Sequence, residues 1–191
     1  MCISKNVSNN SIPQTPATEQ RGFIVRDARP SDSEAINQLC VKAYAEFRPV
    51  VGEPNWKRLR ATLSKASSLS NEGELIVAED ASGVLGIVLY IPPRQNKNRS
   101  PKSAWLQTLA VSPAHRGKGV GRSLTGECIE RARRDGADSI GLTTAEMMAV
   151  ARPMYERLGF TKELDLGQRF GVPHARYVLR LKSEPGAVAT G

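Results

Sequence analysis

A single mixed α/β domain, α+β in detail, is the fold class that this sequence predicts, and three observations carry the prediction. The chain has 191 residues, the length of one domain and too short for two ordinary ones. Short β-rich runs stand next to one another in hairpin order in one part of the chain and alternate with amphipathic helical stretches in another, so a hairpin-built sheet combined with crossover helices is expected. The composition, 40% hydrophobic and 24% charged, is that of a globular chain and excludes wholesale disorder or a fibrous repeat.

Residues Met1–Arg21 are rich in Ser, Asn, Thr, Gln and Pro and too poor in large apolar groups to offset their ordering entropy, so residues 1–21 read as a flexible tail. Residues 183–191 read the same way, which leaves 22–182 as the folded domain. Phe23–Arg26 opens that domain as a strand, closed by the turn signal Arg29-Pro30-Ser31-Asp32. Ser31 or Asp32 caps a helix whose apolar positions are Ala35, Ile36, Leu39, Cys40 and Ala43, and Pro49, Gly52 and Pro54 end it. Asn55–Leu69 is a second helical stretch, with Trp56, Leu59 and Leu63 on one face. Glu74–Glu79 and Val84–Ile91 form a hairpin around Asp80-Ala81-Ser82-Gly83, followed by the basic loop Pro92–Lys102. Strands at Ala104–Val111, Ser139–Thr143, Phe160–Leu166 and Ala175–Leu181 and helices at Gly119–Arg134 and Met147–Leu158 complete the order.

Several function classes drop out at once. The longest apolar run, Val84–Ile91, is interrupted by Gly86 and far short of the ~20 residues that span a bilayer. No secretion-type apolar stretch follows Met1, so no membrane role is expected, and the compartment expected is the cytoplasm. Cys2, Cys40 and Cys128 are scattered, and with only His115 and His174 no metal cluster is recognisable. The formal charge of +8 calls for an anionic partner: nucleic acid, an anionic membrane surface or a phosphorylated small molecule.

The segment with chemical content runs from Leu106 to Leu124. A β-rich run ends at Ser112-Pro113, the alternating glycines Gly117, Gly119 and Gly121 follow, and a helix begins whose stripe is Val120, Leu124, Cys128, Ile129 and Ala132. Arg131, Arg133 and Arg134 lie in its last turns as partners of the helix dipole, and Gly136 stops it. The first amides of a helix have no internal acceptor and carry partial positive charge, so a loop without Cβ atoms lets a phosphate reach them. Arg116, Lys118 and Arg122 add full charges. One glycine would suffice to turn a strand into a helix; three with interleaved cations favour an anion site. The dinucleotide fingerprint fails at Arg122 and Leu124, and the triphosphatase loop fails at Glu127 and Cys128.

The segment closely resembles the acetyl-CoA signature (Q/R)-x-x-G-x-(G/A) of the GCN5-related N-acetyltransferase (GNAT) superfamily, with Arg116, Gly119 and Gly121 in its fixed places after the strand Leu109-Ala110-Val111-Ser112-Pro113. Met154-Tyr155-Glu156-Arg157-Leu158-Gly159-Phe160 resembles the second hallmark, (L/M)-Y-x-x-L-G-F, and the order of elements from Phe23 to Leu181 is similar to that fold. The resemblance implies a central, mostly antiparallel sheet with a splayed pair of parallel strands, flanked by helices, and direct transfer of acetyl from acetyl-CoA, a cosubstrate, to an acceptor amine without a metal. It implies that the backbone of Leu109, Ala110 and Val111 holds the pantetheine arm. The pyrophosphate would rest on the amides of Arg116, Gly117, Lys118, Gly119, Val120 and Gly121, with Arg122 and Ser123 extending the cradle. It implies that Tyr155 protonates the departing thiolate.

Departures are Met148, where many members carry Asn, and the lack of a carboxylate among Trp105, Leu106, Gln107 and Thr108. The general base is unassigned; Glu79 and Glu146 are the acidic residues near strand ends, each read as a solvated carboxylate. His115 reads as an exposed loop residue and His174 as a turn residue without a substrate contact. Tyr44, Phe47 and Trp56 fall in the segment that walls the acceptor pocket of that fold, though such spacing more often marks core. The acceptor expected is a small-molecule amine or a peptide or protein amine, and a homodimer is left open. A sensor that binds acyl-CoA without transferring it is the alternative. A nucleic-acid binder ranks last, since no aromatics interleave the cations. Residues 94–134 hold ten Lys/Arg and two acids, a surplus equal to that of the whole chain, and part of it flanks the phosphate cradle.

Overall fold

The computed structural model describes residues 22–95 and 100–181. The expected tails, Cys2 and part of the basic loop lie outside the described residues. Seven strands form one sheet: β1 (Ile24–Asp27), β2 (Glu74–Asp80), β3 (Gly83–Ile91), β4 (Ser103–Val111), β5 (Ser139–Ala145), β6 (Thr161–Arg169) and β7 (Val172–Arg180), in the order β1-β2-β3-β4-β5-β7-β6. Every neighbouring pair is antiparallel except β4 with β5. That parallel ladder runs only from Ser103–Ser139 to Leu106–Leu142, after which the strands part. On its other edge β4 bulges against β3 between Gln107 and Ala110, and Thr108 takes φ 53° there.

Helices cover both faces. Against one face lies α4 (Val120–Arg134), whose Val120, Leu124, Cys128 and Ile129 pack with Val88, Tyr90, Ala104, Leu106, Ile140 and Leu142. Against the other lie α1 (Ser33–Tyr44), α2 (Arg48–Val51) and α3 (Glu53–Leu63), whose Ile36, Leu39, Cys40, Trp56 and Leu63 meet Leu75, Val77, Ile87 and Leu89. Strand alternation thus divides one sheet between two cores. α5 (Ala151–Arg157) follows β5. No described helix is long and apolar enough to cross a membrane.

Where the elements differ from expectation, local chemistry explains it. Pro54 does not break a helix but sits in the first turn of α3, where its missing N–H costs nothing. The stretch expected to be helical to Leu69 ends at Leu63 and becomes a 3-10 segment, Ala66–Asn71. Serine hydroxyls compete for its carbonyls: Ser64 donates to Ala61 at 3.1 Å, Ser68 to Lys65 at 2.7 Å and Ser70 to Ser67 at 3.0 Å. The helix expected from Met147 begins only at Ala151, since Pro153 has no N–H to offer the carbonyl of Ala149. His174 is not in a turn: it is a strand residue of β7, opposite Ala145 of β5 and Gly167 of β6.

A set of ion pairs fixes α4 to the sheet edge. Arg131, 11% exposed, reaches Asp27 and Glu74 at 2.6 Å each and Glu127 at 2.9 Å. Arg133 pairs with Glu130 at 2.5 Å, and Arg134 with Glu127 at 3.7 Å. Three of the cations counted toward the basic surplus are therefore engaged with acids. On the other face of the same edge, Arg26 of β1 bridges Asp32, at 2.7 Å, and Glu79.

Candidate functional site

The site is built where β4 leaves β5. Beyond Leu106 the edge of β4 that faces β5 has no ladder partner. A 3-10 turn at Pro113–His115 then leads through Gly117 (φ 75°) to Gly119, which caps α4 in the left-handed conformation at φ 84°, ψ −1°. Only glycine adopts that geometry freely, and a Cβ at Gly117 or Gly119 would meet nothing within 4 Å. The turn is therefore open and dictated by backbone conformation. The first α4 bond, Ser123 N–H to the Gly119 carbonyl at 2.9 Å, leaves the preceding amides unpaired at the positive end of a 15-residue helix. This geometry suits an anion.

A cavity of about 470 Å³ opens against this turn. Leu109, Ala110 and Val111 of β4 form one wall, and Arg116, Gly117, Gly119, Val120, Gly121 and Arg122 line the glycine-rich end. Ala43, Tyr44, Glu46 and Phe47 close the side of α1, and Met147 to Ala151, Met154 and Arg157 close the opposite side. The long apolar walls and the amide-lined end fit a ligand with an apolar arm and a phosphate. The structure thus brings together the expected ligand-holding residues except Lys118, which is exposed, and Ser123, both outside the lining.

Two residues are placed differently from the simplest expectation. The guanidinium of Arg116 is engaged: Nη2 donates to the Ala43 carbonyl at 2.8 Å and Nη1 pairs with Glu46 at 2.6 Å. It ties the end of α1 to the glycine turn, while Arg122 lines the cavity without an ion pair among the described residues. Tyr155 does not line the cavity. It is 4% exposed, stacked edge-to-face on Phe160 at 5.8 Å, and lies in the core on the α4 side. Burial pushes its phenol well above the ordinary value, with Tyr44 and Cys128 adding to the shift, so the proton is firmly held.

Tyr44 and Phe47 line the cavity, contrary to a core assignment, whereas Trp56 is core. The Tyr44 hydroxyl donates to the Leu109 carbonyl at 3.2 Å, at the bulge of β4, and burial raises its pKa also. The methionine wall was missed as well. Its signal was present: three of the four methionines are Met147, Met148 and Met154, and methionine suits adaptable binding walls. His115 is not a plain exposed loop residue, being half-buried on the cavity with Nδ1 3.4 Å from Ser112 Oγ. Glu79 is held by Arg26 below the usual carboxylate range, far from the cavity along the sheet. Glu146 is exposed and outside the lining, its amide bonded to the Pro173 carbonyl at 2.9 Å. His174 Nδ1 lies 2.9 Å from the Val172 carbonyl.

Comparison with known proteins agrees with this geometry. The chain is 32% identical over 131 residues to N-acetyltransferase 8F1 of Rattus norvegicus, covering 65% of this chain and 57% of that protein. It is 30% identical over 153 residues to mycothiol acetyltransferase of Salinispora arenicola, covering 79% of this chain and 48% of that one. The chain thus spans about half the length of these curated relatives. Among solved structures, a GCN5-related N-acetyltransferase from Kribbella flavida superposes with a TM-score of 0.63 at 26% identity, covering 84% of this chain and 98% of that chain. The Salmonella typhimurium protein yncA, solved with its cofactor acetyl-CoA, shares the fold at a TM-score of 0.64 and 22% identity, over 87% of this chain and 98% of that one. The family model for the acetyltransferase (GNAT) family matches residues 37–160. With its parted strands, glycine-capped helix and this match over most of its length, the chain belongs to the acetyltransferase (GNAT) family.

Proposed function

We propose that this protein is an acetyl-CoA-dependent N-acetyltransferase that transfers acetyl directly to an acceptor amine in a ternary complex. The observation that carries the reading is the continuity of the cavity from the unpaired edge of β4 to the amides capping α4. When bound, acetyl-CoA supplies an acyl group already activated as a thioester. Backbone groups of Leu109, Ala110 and Val111 hold the pantetheine arm as an added strand would be held. Amides from Arg116 to Gly121, with Lys118 beside them, receive the pyrophosphate, and Arg122 adds charge at the cavity rim. Free strand amides stabilise the oxyanion that develops when the amine adds.

Tyr155 is the proton donor to the leaving thiolate in this reading. Its phenol is protonated at neutral pH, as a general acid requires, while burial raises its pKa and makes it a weaker donor than a free phenol. The acceptor is a small-molecule or peptide amine, and the names of two relatives, mycothiol acetyltransferase and streptothricin acetyltransferase, speak of small molecules. The test is Tyr155→Phe, assayed for CoA release against an amine panel and, separately, for CoA binding by calorimetry. A kcat lower by roughly 10²–10⁴-fold with unchanged binding is expected. Unchanged turnover removes Tyr155 from the mechanism. Failure of the wild-type chain to release CoA with any amine refutes the transferase reading.

A further inference from the structure

Resting on that reading, we propose that the acceptor carries a carboxylate and that Arg176 anchors it. Strand register puts Trp105 and Gln107 of β4, Gly141 and Thr143 of β5 and Arg176 of β7 on one face of the sheet, the face of α1 and α3. The β4–β5 ladder ends at Leu106–Leu142, and the next residues, Gln107 and Thr143, are both exposed. This is the mouth of the divergence on the side away from α4, where an amine would meet a thioester lying between the strands.

The indole of Trp105 lies across Gly141, so closely that a Cβ there would come within 2.1 Å of the ring. Arg176, which faces Thr143 in the ladder, sends its guanidinium to 6.0 Å from the centroid of that indole. The side chain therefore leans from β7 over β5, toward the strand that parts from it. Its Nε is buried and has no hydrogen-bond partner. The acid bonded to it, Glu163, reaches Nη1 only at 3.4 Å and is 47% exposed. A guanidinium presents a planar fork of donors that matches a carboxylate, and that of Arg176, whose side chain is 34% exposed, holds Glu163 by one long contact. An acceptor carboxylate would take the place of Glu163 on the exposed end of the fork and set the amine at the parted strands. The substrate class is thus an amino acid or similar small molecule with amine and carboxylate a few bonds apart.

The experiment compares, in the full chain, amino acids with their own carboxamides: phenylalanine, methionine, β-alanine and γ-aminobutyrate, each in both forms, at fixed acetyl-CoA. The carboxamide has the less basic amine, so the supply of free base works against the expected preference. The carboxylate form should be the better substrate in kcat/KM by roughly 10–100-fold. Arg176→Gln should remove that preference through KM while leaving the carboxamides unaffected, and Arg176→Lys should restore part of it. Equal use of the two forms by the wild-type chain overturns the proposal without need of a variant. So does an equal loss on both forms in Arg176→Gln, which marks a structural role. If acetyl-CoA binds by calorimetry yet neither form of any amine releases CoA, the transferase reading itself fails and the proposal falls with it.

Discussion

Replacing Gly119 by alanine separates the anion site from the stability of the helix it caps. Gly119 holds φ 84°, a conformation that costs an L residue roughly 1–2 kcal/mol. A Cβ there would meet nothing within 4 Å, so no clash is added to that strain. In a chain of this size each kcal/mol corresponds to about 2–4 °C in Tm, so Gly119→Ala should melt roughly 2–8 °C lower. The methyl group enters the open turn where a phosphate approaches the amides, and affinity for CoA should fall roughly 10–100-fold. Gly121→Ala is the control. Its Cβ would make ordinary contacts, 3.4 Å from Met154 Sδ and 3.6 Å from Val111 Cγ2, in a helical position where alanine gains up to ~1 kcal/mol. That variant should keep its affinity and melt no lower than wild type. Calorimetric titration with CoA, paired with thermal scans, reads both quantities. Full CoA affinity in Gly119→Ala, or equal loss in the two variants, would refute the reasoning.

Arg131→Met should cost about 2 kcal/mol, since three carboxylates lose a shared, largely buried partner but two of them remain in water. Tm should drop roughly 4–8 °C with CoA binding unchanged, and an unaltered Tm would show the network to be idle. Acid should weaken the other face of that edge. Arg26 holds Asp32 and Glu79 below their ordinary range by hydrogen bonding, so their contribution is complete above the unfolded pKa of about 4 and is lost as pH falls below it. Arg26→Met should therefore melt lower at pH 7 and show a shallower acid decline than wild type; parallel curves between pH 7 and 3 would contradict this. Gly141→Ala forces the Trp105 indole off β5 and should cost about 1–3 kcal/mol or more, read as a lower denaturation midpoint. A neutral outcome would mean that the indole has room to move.

The order of strands and helices was legible because alternation and helical spacing act locally, and the glycine turn was legible because its signature is compact. Contacts between distant segments were not. Arg131 reads as a dipole partner until Asp27 and Glu74 are brought beside it by the β1–β2 pairing. Tyr44 and Phe47 share the spacing of core aromatics, and only the place of α1 beside the end of β4 makes them cavity walls. The bulge at Thr108 has no signature in residue type, being set by how β4 must depart from β3 and β5 at once. Pro153 did carry a local signal, and its missing N–H accounts for the shortened α5.

The four-pair seam between β4 and β5 divides the sheet into a half built from β1 to β4 and a half built from β5, β7 and β6. Those amide hydrogens between Gln107 and Val111 that point toward β5 are hidden by no ladder, and in the free chain they should trade with deuterium long before their neighbours facing β3. A ligand laid along that edge would slow them selectively. Such a ligand would extend the sheet beyond the seam while the four ladder pairs stay in place.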